Sequence, residues 1–259
     1  MPLTLSVAIV TKNEEANLTR TLASVRWADE IVIVDSGSTD KTAEIAREFR
    51  AKFFVEEWKG FGEQKNSAIA KCSGDWALSL DADEEVSVEL GEEIRGLLSG
   101  QPDHDAYFLP RRNFFLGRWI RHGGYYPDPK LRFFRRGNAQ FEEHAVHETI
   151  RPAGPAGRLH GGLFHHAYPT LDAYIEHMNR YSALGATQVV ARGKTSRSIF
   201  AFLWNVFVIP VATFKYNYFL RLGFLDGREG LLLHLYHSVY VSWKYAKAWE
   251  LGRKQPRVS

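Results

Sequence analysis

The sequence of 259 residues predicts an α/β fold in which helices flank a mostly parallel sheet. Four short apolar runs, at residues 5–10, 30–34, 52–55 and 76–80, have the length and composition of buried strands. Stretches with helical spacing lie between these runs, and strands that alternate with helices are typical of βαβ units. The first, second and fourth runs each end in a polar loop. Because such sheets bind ligands beyond the carboxyl ends of their strands, these loops predict the ligand site.

The helices are predicted from the spacing of apolar residues after each strand. Residues 14–25 place Leu18, Leu22 and Val25 on one helix face. The other predicted elements are helices at residues 41–49, 64–72 and 171–191, a strand at 131–136, and a loop rich in proline and glycine at 151–162. The chain after residue 191 is expected to form helices rich in aromatic side chains.

Composition and charge exclude several classes of protein. With 45% hydrophobic and 24% charged residues, the chain has the composition of a globular protein rather than a disordered one. A net charge of +3 gives no reason to expect a nucleic-acid partner. The single cysteine, Cys72, excludes an internal disulfide framework and a cysteine-based zinc site. Residues 1–10 lack the basic start of a signal peptide, so the chain is expected to begin in the cytoplasm.

The C-terminal part differs from the rest in charge and hydropathy. Residues 192–259 hold 11 Lys and Arg against 3 Asp and Glu, whereas the first 191 residues hold 22 against 27. Residues 199–214 carry no charge and are interrupted by Pro210, which leaves them short of the ~20 residues that a spanning helix needs. Aromatic and basic flanks favour a segment that lies on or dips into a membrane surface. The alternative is a helix or hairpin buried in the core. We therefore predict a catalytic domain at 1–191 and a basic, aromatic-rich helical extension at 192–259.

Acidic side chains at two strand ends are the sharpest candidates for chemistry. Asp81 and Asp83 follow the fourth strand, where two carboxylates can hold a divalent cation and a ribose hydroxyl together. Oxygen ligands of this kind suit Mg²⁺ or Mn²⁺. Asp35 ends the second strand and can accept hydrogen bonds from a base or ribose. The alternative without a chemical role is a solvated acidic loop for Asp81 and Asp83, and a helix cap for residues 38–40.

Four motifs occur in order along the first third of the chain. They are VAIVTKNEE at residues 7–15, IVIVDSGSTDKT at 31–42, QKN at 64–66 and DADE at 81–84. Together they resemble family 2 glycosyltransferases. That resemblance implies a GT-A fold, a nucleotide-diphosphosugar donor, a divalent metal and inversion at the anomeric carbon. Residues 146–148, 168–181 and 219–227 look like the branch that includes lipopolysaccharide inner-core β-1,4-glucosyltransferases.

The resemblance also implies roles for individual residues. On the donor side, Thr11 and Glu14 or Glu15 would hold the nucleobase and ribose, Asp35 would hold the base, and Asp81 would hold the ribose. Lys65 would contact the nucleotide or its diphosphate. Asp83 would bind the metal, and His165 would bind the metal or the diphosphate. On the acceptor side, Glu148 would be the general base, with Glu142 and Glu143 as alternatives, and His147 would orient that carboxylate or bind a phosphate. From their charge alone, Arg111, Arg112 and the basic residues at 130–136 are candidates to meet acidic sugars or phosphates of the acceptor. Each charged residue has a second interpretation as an ordinary solvated side chain. His166 is expected to occupy an aromatic position.

The predicted function is an inverting transfer of a hexose onto a lipid-linked saccharide. The resemblance implies glucose from UDP-glucose as donor, the lipopolysaccharide inner core as acceptor, and the cytoplasmic face of the bacterial inner membrane as the location. A transferase of the same fold acting on a prenyl phosphate, a capsule sugar or a protein is the alternative. A nucleotide-sugar hydrolase and a non-catalytic membrane-bound scaffold are the remaining hypotheses.

Overall fold

The structure is a computed structural model that describes residues 2–142, 149–193, 196 and 198–254. The strands are β1 (Leu5–Thr11), β2 (Glu30–Asp35), β3 (Lys52–Val55), β4 (Trp76–Asp81), β5 (Glu84–Val86), β6 (Ala106–Phe115), β7 (Arg118–Trp119), β8 (Asp128–Arg135), β9 (Ala139–Glu142), β10 (Thr149–Pro152), β11 (Gly157–Arg158) and β12 (Leu163–Tyr168). The α-helices are α1 (Leu18–Ser24), α2 (Thr42–Glu48), α3 (Phe61–Ala70), α4 (Val88–Ser99), α5 (Leu171–Ala191), α6 (Ile199–Leu203), α7 (Ile209–Lys215) and α8 (Gly227–Lys254). Two π-helical segments, Trp204–Val208 and Tyr216–Leu220, and a 3₁₀ turn, Gly223–Asp226, complete the described elements.

One large sheet and one separate hairpin contain all the described strands. The large sheet has the order β3-β2-β1-β4-β8-β6-β12-β5, and β7 and β11 also pair with β6. The strands from β3 to β4 are parallel, whereas β8 pairs in antiparallel fashion with both β4 and β6. The sheet is flanked by helices. The predicted α/β class is confirmed, and the parallel part of the sheet is the part that the sequence predicts from its first four strands.

The predicted strands are confirmed, and three of them extend by one polar residue. β1 ends at Thr11, β2 at Asp35 and β4 at Asp81, because each of these residues still pairs with a neighbouring strand. The predicted helix at 14–25 is shorter and begins at Leu18, after a turn in which the Glu14 carbonyl accepts from the Leu18 amide. The loop predicted at 151–162 is wrong in part, since it holds the end of β10 and all of β11.

Both faces of the central strands β1 and β4 are buried. Along β1, Val7 and Ile9 belong to one apolar cluster and Ala8 belongs to the other. The first cluster also holds Trp76 and Phe133, whose rings stack at a centroid distance of 4.6 Å. A strand that is covered on both faces is apolar nearly throughout its length, so its polar end residue marks where the sheet meets the ligand edge.

The described residues form two compact units. The first unit contains residues 1–112 and 128–165, and the second contains 113–127 and 166–259. Helix α5, which lies inside the predicted catalytic domain at 1–191, packs on α8 within the second unit. Lys247 of α8 donates to the Asn179 carbonyl of α5 at 2.7 Å. The division into functional domains at residue 191 stays a prediction.

The apolar segment of the second unit is exposed. Ile199–Leu220 is, by length and composition, long and apolar enough to cross a membrane. Val206 and Pro210 are buried, whereas Phe200 is 82% exposed and Phe207 is 59% exposed. The alternative of a buried core helix is therefore not what the structure shows.

Candidate active site

The carboxyl ends of β1, β2 and β4 lie side by side at one edge of the sheet. The parallel register pairs Thr11 with Asp35 and Val10 with Asp81. Because parallel strands end at the same edge, the register brings together three residues that are far apart in the sequence. Thr11, Asp35 and Asp81 thus occupy the place that the polar loops predict.

Asp35 organises the loop after β2. Its carboxylate accepts hydrogen bonds from the Thr11 hydroxyl at 2.8 Å and from the amides of Gly37 and Ser38 at 2.9 and 2.7 Å. The Ser38 hydroxyl also donates to it. Asp35 is 2% exposed, and both of its oxygens are engaged within the loop. Its direct contact with a base stays a prediction, and the structure shows that Asp35 fixes the shape of this loop.

The loop after β1 is linked by hydrogen bonds in both directions to the loop after β2 and to the first residue of α2. The amide of Glu14 donates to the Thr42 hydroxyl at 2.9 Å, and the amide of Glu15 donates to Asp40 at 3.0 Å. The Glu15 carboxylate accepts from the Lys41 amide at 3.0 Å. The Glu15 carboxylate therefore stabilises the contact between these loops, whereas the Glu14 carboxylate lies near Asp81 and Asp83. Burial, together with the charges of those acids, raises the pKa of Glu14.

Asp81 is clamped between two buried cations. Lys65 of α3 lies 2.6 Å from its Oδ1, and Arg132 of β8 lies 2.6 Å from its Oδ2. Lys65 is 2% exposed and Arg132 is 5% exposed. Burial by itself would raise the pKa of Asp81, but Arg132 and Lys65 outweigh it and hold that pKa well below its ordinary value. Asp81 is thus a carboxylate that already has two positive partners.

A second carboxylate, Glu84, lies next to Asp81 and is the more deeply buried of the two. It is 0% exposed, and its Oε2 accepts from the Asp81 amide at 3.0 Å. Its Oε1 lies 3.4 Å from Arg132 and 3.5 Å from Arg111. A buried charge must be paired and hydrogen-bonded, and Glu84 meets that requirement with one amide and two guanidinium groups. The result is a continuous charged network below the sheet edge.

The two adjacent arginines proposed for the acceptor have different surroundings. Arg111 pairs with Asp128 at 2.8 Å as well as with Glu84, so it belongs to the network. Arg112 lies over the ring of Phe164 at 5.5 Å. Contact of either arginine with an acceptor stays a prediction.

Asp83 and His165 form the candidate metal pair. Strand β12 pairs with β5 so that His165 is opposite Glu84, one residue from Asp83. The His165 Nε2 lies 3.4 Å from the Asp83 Oδ2. Burial opposes ionisation of Asp83, but His165 outweighs it and keeps the pKa of Asp83 below its ordinary value. His166, the next residue, stacks on Phe114 at 4.8 Å, and its correspondence to an aromatic position of the branch stays a prediction.

The ligand set suits a metal that is completed by its substrate. Among the residues that the structure describes, no group of three His, Cys, Asp or Glu side chains is arranged to hold a metal ion. Asp83 and His165 offer one carboxylate and one imidazole. Mg²⁺ is commonly bound by one or two carboxylates together with substrate phosphates and water. These two residues therefore fit a divalent ion that arrives with a nucleotide diphosphate.

The predicted general base lies outside the described residues. Glu148, its neighbour His147 and the alternative Glu143 all fall there. The other alternative, Glu142, ends β9 and pairs with Arg151 at 3.2 Å. Their roles stay predictions.

Glu84 was not predicted as a site residue, and Arg132 was predicted only as one of the basic residues at 130–136 that meet an acceptor or solvent, not as a partner of Asp81. Arg132 stands among the apolar residues Leu131, Phe133 and Phe134, and a charge within such a strand is a signal of a buried partner. Glu84 is part of the DADE motif, but nothing local distinguishes it from the neighbouring Glu85.

The sequence comparisons identify the family. The glycosyl transferase family 2 profile matches residues 6–152, which contain every described residue of the site except His165. The chain belongs to glycosyl transferase family 2. The family match and the observed sheet confirm the predicted GT-A type of fold.

Several curated family members match this glycosyltransferase along nearly its whole length. The lipopolysaccharide core biosynthesis glycosyltransferase LpsC of Rhizobium meliloti (strain 1021) is 35% identical, over 96% of this chain and 93% of that protein. An uncharacterized glycosyltransferase of Rickettsia typhi is 29% identical, over 98% of this chain and 89% of that protein.

Solved structures give more distant matches. S. aureus TarS 1–349 in complex with UDP has a TM-score of 0.47 and 14% identity over 98% of this chain and 93% of that one. Glucosyl-3-phosphoglycerate synthase of Mycobacterium tuberculosis, in complex with Mn²⁺, UDP and glucosyl-3-phosphoglycerate, has a TM-score of 0.36 and 24% identity over 44% of each chain.

Proposed function

We propose that this glycosyltransferase moves a sugar, with inversion, from a UDP-sugar onto a lipid-linked saccharide of the lipopolysaccharide core. The observation that carries the proposal is the juxtaposition at one sheet edge of Asp81, Asp83 and two buried cations, Lys65 and Arg132. Acids that suit a metal and a ribose, next to cations that suit a diphosphate, match the charge pattern of a nucleotide-diphosphosugar. The transferase family makes transfer the expected chemistry.

The donor would bind across the loops that follow β1, β2 and β4. Thr11, Glu14 and the loop held by Asp35 would surround the nucleoside, and Asp81 would meet the ribose. Lys65 and Arg132 lie where a diphosphate would need positive charge. Both already balance Asp81, so the binding of a second anion redistributes existing pairs and requires no new cation to be buried.

The divalent cation would be held by Asp83 and His165, with either Mg²⁺ or Mn²⁺ acceptable to this pair. When bound, it would neutralise the charge that develops on the departing diphosphate. The chain itself keeps Asp83 ionised, because the pKa of Asp83 lies below its ordinary value. His165 provides that stabilisation in the absence of the ion.

Inversion needs a base on the acceptor side. A carboxylate must take the proton of the acceptor hydroxyl as its oxygen bonds to the anomeric carbon and the bond to the diphosphate breaks. We assign this role to Glu148, with His147 beside it. Arg111 and Arg112 would contact acidic or phosphorylated sugars of the acceptor.

Similarity to a named relative and the apolar segment of the second unit support the proposed acceptor and location. LpsC, which is named for lipopolysaccharide core biosynthesis, is similar over nearly the full chain. The exposed apolar segment Ile199–Leu220 suits attachment to a bilayer surface, where a lipid-linked acceptor resides. We place the enzyme on the cytoplasmic face of the inner membrane, where UDP-sugars are available, with glucose as the proposed sugar.

A thermal-shift panel tests the donor site. UDP, GDP, CDP and their sugars are each added with Mn²⁺ or with EDTA, and a ligand at about 100 times its dissociation constant stabilises by about 2.7 kcal/mol. We expect UDP and one UDP-sugar to raise the melting temperature, and to raise it further with Mn²⁺.

Two variants separate the metal from the nucleotide. Asp83→Asn is expected to lose the Mn²⁺-dependent part of the shift and keep the part seen in EDTA. Glu48→Gln, which removes an exposed carboxylate of α2, is the charge-matched control and should behave as the unaltered chain. If no nucleotide shifts the melting curve with either metal, the scaffold hypothesis replaces the transferase. If sugar is released at the same rate with and without acceptor, the hydrolase replaces it.

A further inference from the structure

We infer that the second unit carries a binding site for the phosphate group of a bilayer lipid, formed by Arg121, His122 and Arg221. The inference rests on the proposed membrane attachment but not on the donor chemistry. All three residues lie where the loop that follows β7 meets the chain segment before α8.

A buried carboxylate holds this contact together. Asp226 is 1% exposed and accepts from the amides of Arg121 and His122 at 3.2 and 2.8 Å. The His122 Nδ1 lies 2.9 Å from the same carboxylate. Because Asp226 occupies Nδ1, the Nε2 of His122 is the ring nitrogen left to meet a ligand. The histidine is therefore oriented before any ligand arrives.

Two close approaches bring Arg221 to the same place. The Gly123 amide donates to the Arg221 carbonyl at 2.9 Å. At Gly124, which has a φ of 88°, an added Cβ would lie 2.2 Å from the Arg221 Nη1. Glycine thus provides both the backbone conformation and the space that let the guanidinium lie against this loop.

The two guanidinium groups are supported on their faces by aromatic rings. Arg121 lies over Trp119 at 4.2 Å, and Arg221 lies over Tyr216 at 5.4 Å. Within the described residues, neither arginine has a carboxylate as ion-pair partner, and both are exposed. A guanidinium that rests on a ring keeps its N–H edge available, and that edge matches a phosphate in two parallel hydrogen bonds. The nearby acid Glu229 pairs with Arg118 instead, at 3.6 Å.

Exposed apolar side chains are the neighbours of Arg221 along the chain. Leu220 is 74% exposed and Leu222 is 47% exposed, on either side of Arg221, and Leu225 is 50% exposed. Exposed leucine side chains contribute nothing to the binding of a free phosphate ion, whereas the headgroup of a bilayer lipid always lies next to acyl chains that leucines can contact. Cations within an apolar surface are typical of a segment at the headgroup level of a membrane. This complementarity favours a lipid as the occupant.

Vesicle co-flotation of the full chain tests the site. The vesicles are phosphatidylcholine alone, phosphatidylcholine with phosphatidylglycerol, and phosphatidylcholine with phosphatidic acid, whose phosphate has the most open oxygens. We expect the strongest binding with phosphatidic acid and the weakest with phosphatidylcholine alone. Inorganic phosphate is added as a competitor. Equal binding to all three vesicles, or release by millimolar inorganic phosphate, would overturn the assignment of a lipid headgroup.

A matched pair of double variants separates a site from general charge. Removing two arginines near an anionic surface costs roughly 1 kcal/mol each, so Arg121→Gln with Arg221→Gln should weaken vesicle binding by tenfold or more. Arg180→Gln with Arg192→Gln removes two exposed arginines of the same unit, and should weaken binding less than threefold. Equal losses in the two proteins would show diffuse attraction and reject the site.

A charge-conserving variant tests the paired hydrogen bonds. Arg121→Lys with Arg221→Lys keeps the charge but replaces each guanidinium fork with a point charge. We expect it to lose the preference for phosphatidic acid over phosphatidylglycerol while keeping the preference for both over phosphatidylcholine. An unchanged order would contradict a built phosphate site. The comparison of lipids with the unaltered chain remains decisive if a variant fails to fold.

Failure of this inference can be told apart from failure of the proposed function. Vesicle binding needs no donor, and the UDP-dependent thermal shift needs no lipid. A UDP shift without preference for anionic vesicles rejects only the lipid site. Preference for anionic vesicles without any nucleotide shift rejects only the donor site.

Discussion

Glu84 is the residue on which the charged network at the sheet edge depends. Its carboxylate is inaccessible to solvent and faces Arg132, Arg111 and the Asp81 amide. Removing one partner from a buried ion pair leaves an uncompensated charge. The resulting loss of folding free energy is larger than the net stabilisation that the intact pair provides. Glu84 acts through Arg132 and Asp81, so we regard it as a positioning residue.

Glu84→Gln is expected to lower the free energy of unfolding by about 3 kcal/mol and to weaken the UDP-dependent thermal shift. Glutamine keeps the shape and can still accept from the Asp81 amide, but it leaves Arg132 and Arg111 with less negative charge. Urea denaturation measures the first effect, and a UDP titration measures the second.

The adjacent Glu85 provides the control. It pairs with Arg20 at 3.6 Å in a partly exposed position, so Glu85→Gln should cost less than about 1 kcal/mol and leave UDP binding intact. If Glu84→Gln lowers stability but not the UDP shift, Glu84 is purely structural.

What the sequence reveals at this scale depends on locality. Asp35, Asp81 and Asp83 could be predicted because each follows an apolar strand, and the residue type and the strand end are both visible in the sequence. Arg132 lies 51 positions from Asp81, so their pairing follows from the order of the strands rather than from any local pattern. Without that order, Arg132 cannot be distinguished from a solvated charge.

At the scale of elements, Glu30 joins three strands of the parallel sheet. Its carboxylate, at the start of β2, accepts from Ser6 of β1 and from Lys52 of β3. The Ser73 amide, just before β4, donates to it at 2.7 Å. Burial by itself would raise the pKa of Glu30, but these hydrogen bonds outweigh it and lower the pKa from 4.5 to about 2.

This lowered pKa makes stability depend on pH in a defined window. A carboxyl group whose pKa is lower in the folded state contributes stability that is complete above its unfolded pKa. For Glu30 the contribution should be lost as the pH falls from 4.5 towards about 2. Allowing for screening by solvent, Glu30→Gln should cost about 1–2 kcal/mol at neutral pH and flatten the acid side of the stability curve.

Unfolding titrations at several pH values between neutrality and acid measure this effect. The exposed Glu92 of α4 supplies the control variant Glu92→Gln. Equal slopes for the unaltered chain and Glu30→Gln in this window would refute the role of Glu30.

The ends of elements could be predicted less well than their existence. The apolar face of Leu18 and Leu22 identifies α1, but its start depends on distant partners. The Asn13 amide donates to the Ser38 hydroxyl at 2.7 Å, and the Glu14 amide donates to Thr42. These bonds to the loop after β2 and to the start of α2 hold residues 13 and 14 outside the helix. The boundary is therefore set by tertiary contacts, which helical spacing does not contain.

At the scale of the whole molecule, charge and apolar surface are distributed so that the candidate active site and the proposed membrane-attachment segment lie in different parts of the chain. The acids of the candidate active site belong to the first unit, whereas residues 192–259 have an excess of basic residues and an exposed apolar segment. The sequence predicts the interfacial character of this segment from its flanks. Only the structure shows that Val206 and Pro210 face inward, while Phe200, Trp204 and Phe207 remain exposed.

These two features predict that vesicle binding has a salt-sensitive part and a salt-resistant part. At about 1 M salt the Debye length falls to about 3 Å, so attraction between the basic residues and anionic lipids is suppressed. Burial of apolar side chains, at roughly 25 cal/mol per Å², persists under the same conditions. We expect the unaltered chain to retain measurable binding to anionic vesicles at this salt concentration.

Phe200→Ser with Phe207→Ser should remove most of the salt-resistant binding and leave the salt-sensitive part. The control is Val55→Ser with Val88→Ser, since these valines are 67% and 73% exposed but belong to the first unit. Co-flotation over a range of salt concentrations gives both parts from one curve.

If the phenylalanine variant keeps its salt-resistant binding, the exposed face of Ile199–Leu220 does not enter the lipid. If both double variants lose it equally, the loss reflects general apolar surface rather than an attachment face. A loss confined to the phenylalanine variant would mean that apolar contact and basic charge act as separate contributions to attachment.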